Sequence, residues 1–315
     1  MTTLLQVDNL QQTFLLQQGL RKVPFEALRG VSFSLQAGRA LALVGESGCG
    51  KSTTARVITR MHEPTAGRVL LHGQDVTELK SRRALKAYRK SLQMVFQDPF
   101  GSLNPTRSVR HHLTRPLRLH QPALKRRQLQ QQLEALLELV ELGDPGMLDK
   151  YPHQMSGGQR QRVNLARALA VEPEVLIADE PTSMLDVSIR MDMLNLFRKL
   201  KAERQLGLLY ITHDIATAQY VAEDTAVMYA GQIVEYGPTA SVIDHPSHDY
   251  TRLLLSSVPD PTRSFAELAA EESDFRERAD RIRQQSRAAG SDYEKVAEGH
   301  YCLRQAVTQQ KEALC

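Results

Sequence analysis

Gly45-Glu46-Ser47-Gly48-Cys49-Gly50-Lys51-Ser52-Thr53 is the stretch from which the rest of this 315-residue sequence is read. It has the form Gly, four residues, Gly-Lys-Ser, the pattern of a phosphate-binding loop. Ala40-Leu41-Ala42-Leu43-Val44 precedes it and predicts a buried strand. Thr54-Ala55-Arg56-Val57-Ile58 follows and predicts the opening of a helix. Strand, loop and helix in that order are the context the pattern needs. Gly45, Gly48 and Gly50 lack a Cβ, so the backbone can turn tightly and aim its N–H groups inward. With the positive end of the helix, those amides form a cradle for phosphates. Lys51 puts a cation on the β/γ-phosphates, and Ser52 offers a hydroxyl to Mg²⁺. Cys49 occupies a position the pattern leaves variable and is read as a spacer rather than a redox group.

Length and composition set the bounds. The chain is long enough for one large domain or two modest ones. A net charge of +4 is too mild to argue for nucleic acid. Short basic clusters such as Lys125-Arg126-Arg127 read as solvated helix faces. Three cysteines (Cys49, Cys302 and Cys315) make no disulfide framework and fit a reducing compartment. Residues 1–8 lack a basic region followed by a long apolar stretch, so no signal peptide is expected. No run reaches about 18 apolar residues, so any membrane role is expected to be peripheral.

Taken in order, Leu4 to Val7 predicts a short first strand, and residues 15–26 read as a polar loop. Val31-Ser32-Phe33-Ser34-Leu35 alternates as a half-buried strand does. Arg68 to Leu71 and Leu92 to Phe96 predict further strands. From about residue 106 to 171 the pattern is helical, with Leu129, Leu133, Leu136, Leu137 and Val140 at helical spacing. This is read as a helical subdomain inserted into a sheet domain. Val175 to Ala178 and Leu208 to Thr212 predict buried strands separated by a helix at about 187–204. Val227 to Tyr229 and Ile233 to Glu235 predict a hairpin around Ala230-Gly231. Strands alternating with helices give an α/β fold with a largely parallel sheet. Past Pro259-Asp260-Pro261 the composition changes, so residues 1–260 are expected to form the main domain and 261–315 an extension. Phe265, Leu268, Phe275 and Ile282 predict one amphipathic helix within 264–289.

Two further groups carry chemistry. Asp179-Glu180 ends a buried strand: the first carboxylate can hold Mg²⁺ through water, and the second can orient or deprotonate an attacking water. Ser156-Gly157-Gly158-Gln159 opens a helix, with Ser as cap and two glycines exposing the first amides to an anion. One nucleotide does not need two helix-end sites in one subunit, so the second is expected to serve a neighbour's nucleotide. His213, before Asp214 at a buried strand end, is a third candidate.

With these motifs in place, residues 1 to about 260 resemble the ATPase subunit of an ATP-binding cassette transporter. The resemblance implies a P-loop NTPase (RecA-like) core with an N-terminal antiparallel β subdomain, an inserted helical subdomain at about 106–171 and a C-terminal helical extension. It also implies ATP and Mg²⁺ as ligands, with the stretch Gly45 to Thr53 on the phosphates. Phe14 resembles the aromatic that stacks on adenine. Gln97 resembles the glutamine that touches Mg²⁺ and the attacking water and relays nucleotide state to the membrane partner. Ser52, Gln97 and Asp179 would serve Mg²⁺. Glu180 resembles the catalytic base and His213 the switch histidine on the γ-phosphate. Ser156, Gly157, Gly158 and Gln159 resemble the signature that contacts the opposite subunit's ATP, and Asp186 the loop that couples the two sites. Met155 and Met184 depart from the usual leucine and alanine without changing polarity.

Phe96-Gln97-Asp98-Pro99-Phe100-Gly101-Ser102-Leu103-Asn104-Pro105 resembles the peptide/nickel importer branch. So does the segment His245-Pro246-Ser247-His248-Asp249-Tyr250-Thr251-Arg252-Leu253-Leu254-Leu255-Ser256-Ser257-Val258-Pro259, where Asp249 replaces a common proline. That branch implies the second ATPase of a dipeptide or oligopeptide importer, with a nickel importer as the alternative. It implies a second, non-identical ATPase subunit, two permease subunits and an extracytoplasmic substrate-binding protein, at the cytoplasmic face of a bacterial inner membrane. A soluble cassette ATPase of DNA repair or translation is the reading from another class, but no long coiled coil or second cassette is seen. Many members carry a cysteine-rich tail for an iron–sulfur cluster; with only Cys302 and Cys315 in the tail, no cluster is expected.

Overall fold

The computed structural model describes residues 3–19, 21–256, 282 and 292–304. The chain opens with β1 (Thr3–Gln18) and β2 (Arg21–Gln36), paired antiparallel from Thr3↔Gln36 to Gln18↔Arg21. β3 (Ala40–Val44) leads through the glycine-rich loop into α1 (Lys51–Ile58). β4 (Ala66–Leu71) and β5 (Gln74–Asp75) complete a four-stranded antiparallel sheet in the order β2-β1-β4-β5. α2 (Arg82–Ser91) and β6 (Leu92–Val95) follow. Three helices then form the inserted subdomain: α3 (Val109–His120), α4 (Arg126–Leu139) and α5 (Gly157–Leu169). The chain returns to the sheet with β7 (Val175–Asp179), α6 (Val187–Arg204), β8 (Gly207–Thr212), α7 (Ile215–Val221) and β9 (Asp224–Tyr229). β10 (Gln232–Pro238), α8 (Thr239–Asp244) and α9 (Asp249–Ser256) lead out, and β11 (Tyr293–Ala297) and β12 (His300–Leu303) form a last hairpin.

The main sheet has the order β11-β12-β10-β9-β3-β8-β7-β6. β9, β3, β8, β7 and β6 run parallel, and β10, β12 and β11 add antiparallel neighbours. The parallel strands are short apolar runs because both faces are covered. β3 shows how. Ala40, Ala42 and Val44 pack into the core shared with α6 and the subdomain helices α3, α4 and α5, while Leu41 and Leu43 face the core shared with the antiparallel sheet and α1. Successive side chains on a strand point to opposite faces, so one pentapeptide feeds two cores.

Three parts differ from the sequence reading. Residues 15–26 are not a loop: β1 and β2 continue through them, with Leu16↔Val23 and Phe14↔Phe25 in register and Gly19 turning at φ 63°. Side chains are exposed in this outer half of the hairpin, so no core imposes the alternation that marks a strand. Pro24 is tolerated because β2 is an edge strand. α2 was not expected, being charge-rich with only Tyr88 buried. Within the C-terminal extension, β11 and β12 were not expected, and β12 pairs with β10 through Glu235↔Cys302 and Tyr236↔Tyr301. The amphipathic helix expected at 264–289 lies outside the described residues apart from Ile282, which is buried against Val227, Tyr250 and Leu303.

Phe197 on α6 is 1% exposed and meets Tyr210 on β8 edge-on at 6.2 Å, joining helix to sheet. Phe197→Ala is expected to cost about 3–5 kcal/mol of unfolding free energy. Urea denaturation of the full chain measures this, and an unchanged midpoint would contradict the packing described.

Candidate functional site

The glycine-rich loop follows β3 at its carboxyl end, where ligands bind in sheets of this kind. Its shape is set by what it rests on. A Cβ on Gly45 would stand 2.2 Å from the Met228 carbonyl oxygen on β9. Gly50, the N-cap of α1, has φ 114° and would meet the Ala27 carbonyl at 2.8 Å. Gly231, in the β9–β10 turn, donates its N–H to the Cys49 carbonyl at 2.9 Å. Lys51 is buried, and its Nζ donates to the carbonyls of Gly45 (2.6 Å) and Glu46 (2.8 Å). Burial pushes the Cys49 thiol above its ordinary pKa, with Lys51 opposing only in part.

Across the cleft stand the ends of β6, β7 and β8. Ser52 Oγ donates to Asp179 Oδ1 at 3.1 Å. Burial pushes the Asp179 carboxyl upward, against that hydrogen bond. Gln97 Nε2 donates to Glu180 Oε2 at 3.0 Å, and His213 Nδ1 lies 3.2 Å from the same oxygen. Glu180 holds φ 44°, a left-handed conformation that costs on the order of 1–3 kcal/mol in a residue with a side chain. Its N–H donates to Ile211 O at 2.9 Å, and its carbonyl accepts from Ser183 N and Ser183 Oγ. Those bonds hold the strained residue and turn its carboxylate toward Gln97 and His213.

Together these groups enclose a cleft of about 570 Å³, lined by Glu46, Ser47, Gly48, Gly50, Lys51, Ser52 and Thr53 on one side and Gln97, Glu180 and His213 on the other. Asp179 lies beneath it through Ser52. The donors suit Mg²⁺ held with phosphate oxygens, which uses few protein ligands. No cluster of three or more metal-ligating side chains occurs among the described residues.

Other candidates lie elsewhere. Phe14 is half-buried on β1 and meets His62 edge-on at 5.5 Å; it does not line this cleft. Ser156 caps α5 through Gln159 N at 3.2 Å, and Gln159 Oε1 accepts from Ser156 N at 3.1 Å. This reciprocal capping box leaves the amides of Gly157 and Gly158 at the helix tip. Asp186 is the N-cap residue of α6. Neither group lines the cleft. Two contributors carried no assigned role in the sequence reading. Leu254 lines the cleft, and Tyr250 accepts a hydrogen bond from Glu46 N at 3.0 Å. The only signal for Tyr250 was its place in the 245–259 segment.

A phosphate loop facing a carboxylate, a glutamine and a histidine at the ends of parallel strands defines an ATP-binding cassette. The ABC transporter family profile matches residues 28–183, and that of the oligopeptide/dipeptide transporter C-terminal region matches 234–281. The oligopeptide transport ATP-binding protein OppF of Bacillus subtilis is 40% identical over 301 residues, covering 95% of each chain. The di/tripeptide transport ATP-binding protein DppF of Pseudomonas aeruginosa is 44% identical over 269 residues, covering 84% of this chain and 82% of that one. A dimeric, post-hydrolysis ATP-binding cassette solved with ADP and Pi superposes with TM-score 0.66 at 28% identity, covering 75% of this chain and 98% of that one. The chain belongs to the ABC transporter family, as an ATPase coupled to transport.

Cys49 sits in the loop with its thiol buried and its pKa raised. Cys49→Ala is therefore expected to bind ATP within about twofold of wild type, since only the thiolate is strongly nucleophilic or redox-active. Titration with a fluorescent ATP analogue checks this, and a tenfold loss would assign the thiol a role in the loop.

Proposed function

We propose that this chain is the ATP-hydrolysing subunit of a bacterial peptide importer, bound peripherally at the cytoplasmic face of the membrane beneath two permease subunits. A second, non-identical ATPase subunit completes the pair, and an extracytoplasmic binding protein delivers the peptide. The chemical part is carried by the convergence of Gln97 and His213 on one oxygen of Glu180, across a cleft from the phosphate loop. The substrate class is supported by the match to the oligopeptide/dipeptide C-terminal region and by relatives named for oligopeptides and di/tripeptides. In keeping with a peripheral subunit, no helix among the described residues is long and apolar enough to cross a membrane.

In this reading the loop amides and Lys51 bind the phosphates. Glu180 takes the proton of the attacking water, and Gln97 and His213 hold that water and the γ-phosphate in line. Ser52, Gln97 and Asp179 would hold Mg²⁺, which would supply positive charge against the phosphate oxygens. Phe14 carries the adenine. Ser156, Gly157, Gly158 and Gln159 face the nucleotide of the partner ATPase, and Asp186 links the two sites. The loop from Gln97 to Pro105 passes nucleotide state to the helical subdomain, where the permease docks.

Glu180→Gln keeps the shape and removes the base. It is expected to retain ATP binding and lose about 10²–10⁴-fold in turnover in the assembled transporter. Near-wild-type turnover removes Glu180 from that role. For the substrate, the complete transporter reconstituted in vesicles is expected to take up a labelled tripeptide in the presence of ATP and the wild-type chain, and not with Glu180→Gln. ATP-driven nickel uptake without peptide uptake would move the assignment to the nickel importer.

A further inference from the structure

Glu235 on β10 is a fully buried carboxylate with no part in the chemistry above. Its Oε1 accepts from Ser247 N at 2.8 Å and lies 2.7 Å from His300 Nε2; its Oε2 accepts from His248 N at 3.0 Å. An unpaired carboxylate at this depth would be very costly, so its partners are needed for burial. As a result β10, the final hairpin and the turn at 245–248 are fastened at one point.

That turn runs straight into α9. His248 Nδ1 accepts from Tyr250 N at 3.1 Å. The Tyr250 ring is 1% exposed and packs on Tyr229 with centroids 4.2 Å apart. Its hydroxyl reaches the phosphate loop and accepts from Glu46 N at 3.0 Å. Glu46 N and the Gly45 carbonyl belong to one peptide group. In a trans peptide the N–H and C=O point in opposite directions. Tyr250 holds one side of this peptide while Lys51 Nζ donates to the carbonyl on the other, at 2.6 Å. Rotation of the peptide plane would break both bonds at once.

We propose that Tyr250 is a positioning residue for the ATPase reaction: by fixing the Gly45–Glu46 peptide it sets where Lys51 stands, and the Glu235–His300 pair anchors Tyr250. The C-terminal region thus supports the phosphate loop from behind. This rests on the reading of residues 45–53 as the ATP phosphate loop.

The test is ATP affinity of the full chain, measured with a fluorescent ATP analogue at a temperature where circular dichroism shows each variant fully folded. Tyr250→Phe keeps the ring and deletes the hydroxyl, so affinity is expected to fall on the order of fivefold, the worth of one neutral hydrogen bond. Simple loss of stability would leave the affinity of folded protein unchanged. Lys51→Ala is measured alongside. If Lys51→Ala binds as wild type, the phosphate-loop reading itself fails. If Lys51→Ala is impaired and Tyr250→Phe binds as wild type, the positioning role is overturned. His300→Ala should weaken binding in the same direction, with the double variant showing less than the product of the two effects. Independent, multiplicative effects would overturn the anchoring of Tyr250 by the hairpin.

Discussion

A phosphate cradle built from backbone amides has only the shape that its neighbours give it. Here the decisive neighbour is the carbonyl of Met228, which stands 2.2 Å from where a Cβ on Gly45 would lie. The loop packs directly on the backbone of β9, leaving no room for a side chain between them. Gly231 N fixes Cys49 from the β9–β10 turn, and Arg29 N in turn donates to Gly231 O, so β2 joins the support. The cradle is therefore a meeting point of the parallel sheet, the antiparallel hairpin and the turn that ends the core.

The same logic governs the opposite wall. Gln97, Glu180 and His213 come from three different strand ends, and the parallel register of β6, β7 and β8 brings them to one level. Of these three, Glu180 is the one held in a left-handed conformation. Its strain is offset by the bond to Ile211 O on β8 and by Ser183, so the cost is borne by the ladder rather than by the carboxylate. The side chain remains free to act because the backbone is over-determined. Asp179, one residue earlier, is held in the opposite manner: buried, bonded to Ser52, and raised in pKa by the same desolvation that makes a nearby cation favourable.

What the sequence revealed follows from where the core is. β3, β7 and β8 are covered on both faces, so each reads as an unbroken apolar run, and the helix at 187–204 matches α6. The hairpin half at 15–26 was illegible because neither Leu15 nor Leu16 is buried, and backbone pairing leaves no mark in composition. β11 was hidden for the same reason, with all five of its residues exposed. Gln97, Glu180 and His213, which line one cleft, were legible as candidates because strand ends have local signatures. Tyr250 was not, because its contact with Glu46 spans 204 positions and leaves no local pattern. The structure also separates Phe14 from the cleft-lining groups, a fact that no local pattern encodes.

The short segment from Glu180 to Asp186 connects features that are otherwise far apart in the sequence. At one end Ser183 bonds to the Glu180 carbonyl. At the other, Leu185 lies 3.7 Å from the position of a Gly157 Cβ, and Ile189 on α6 lies 2.5 Å from that of Gly158. The tip of α5 is thus seated on the start of α6, and a side chain at Gly158 would drive them apart. In the proposed dimer the α5 tip faces the partner's nucleotide while Glu180 faces this chain's own. Leu185 and Ile189 pack against this tip, and Ser183 bonds to the backbone of Glu180. The α5 tip and the backbone of Glu180 thus lie at the two ends of one packed segment.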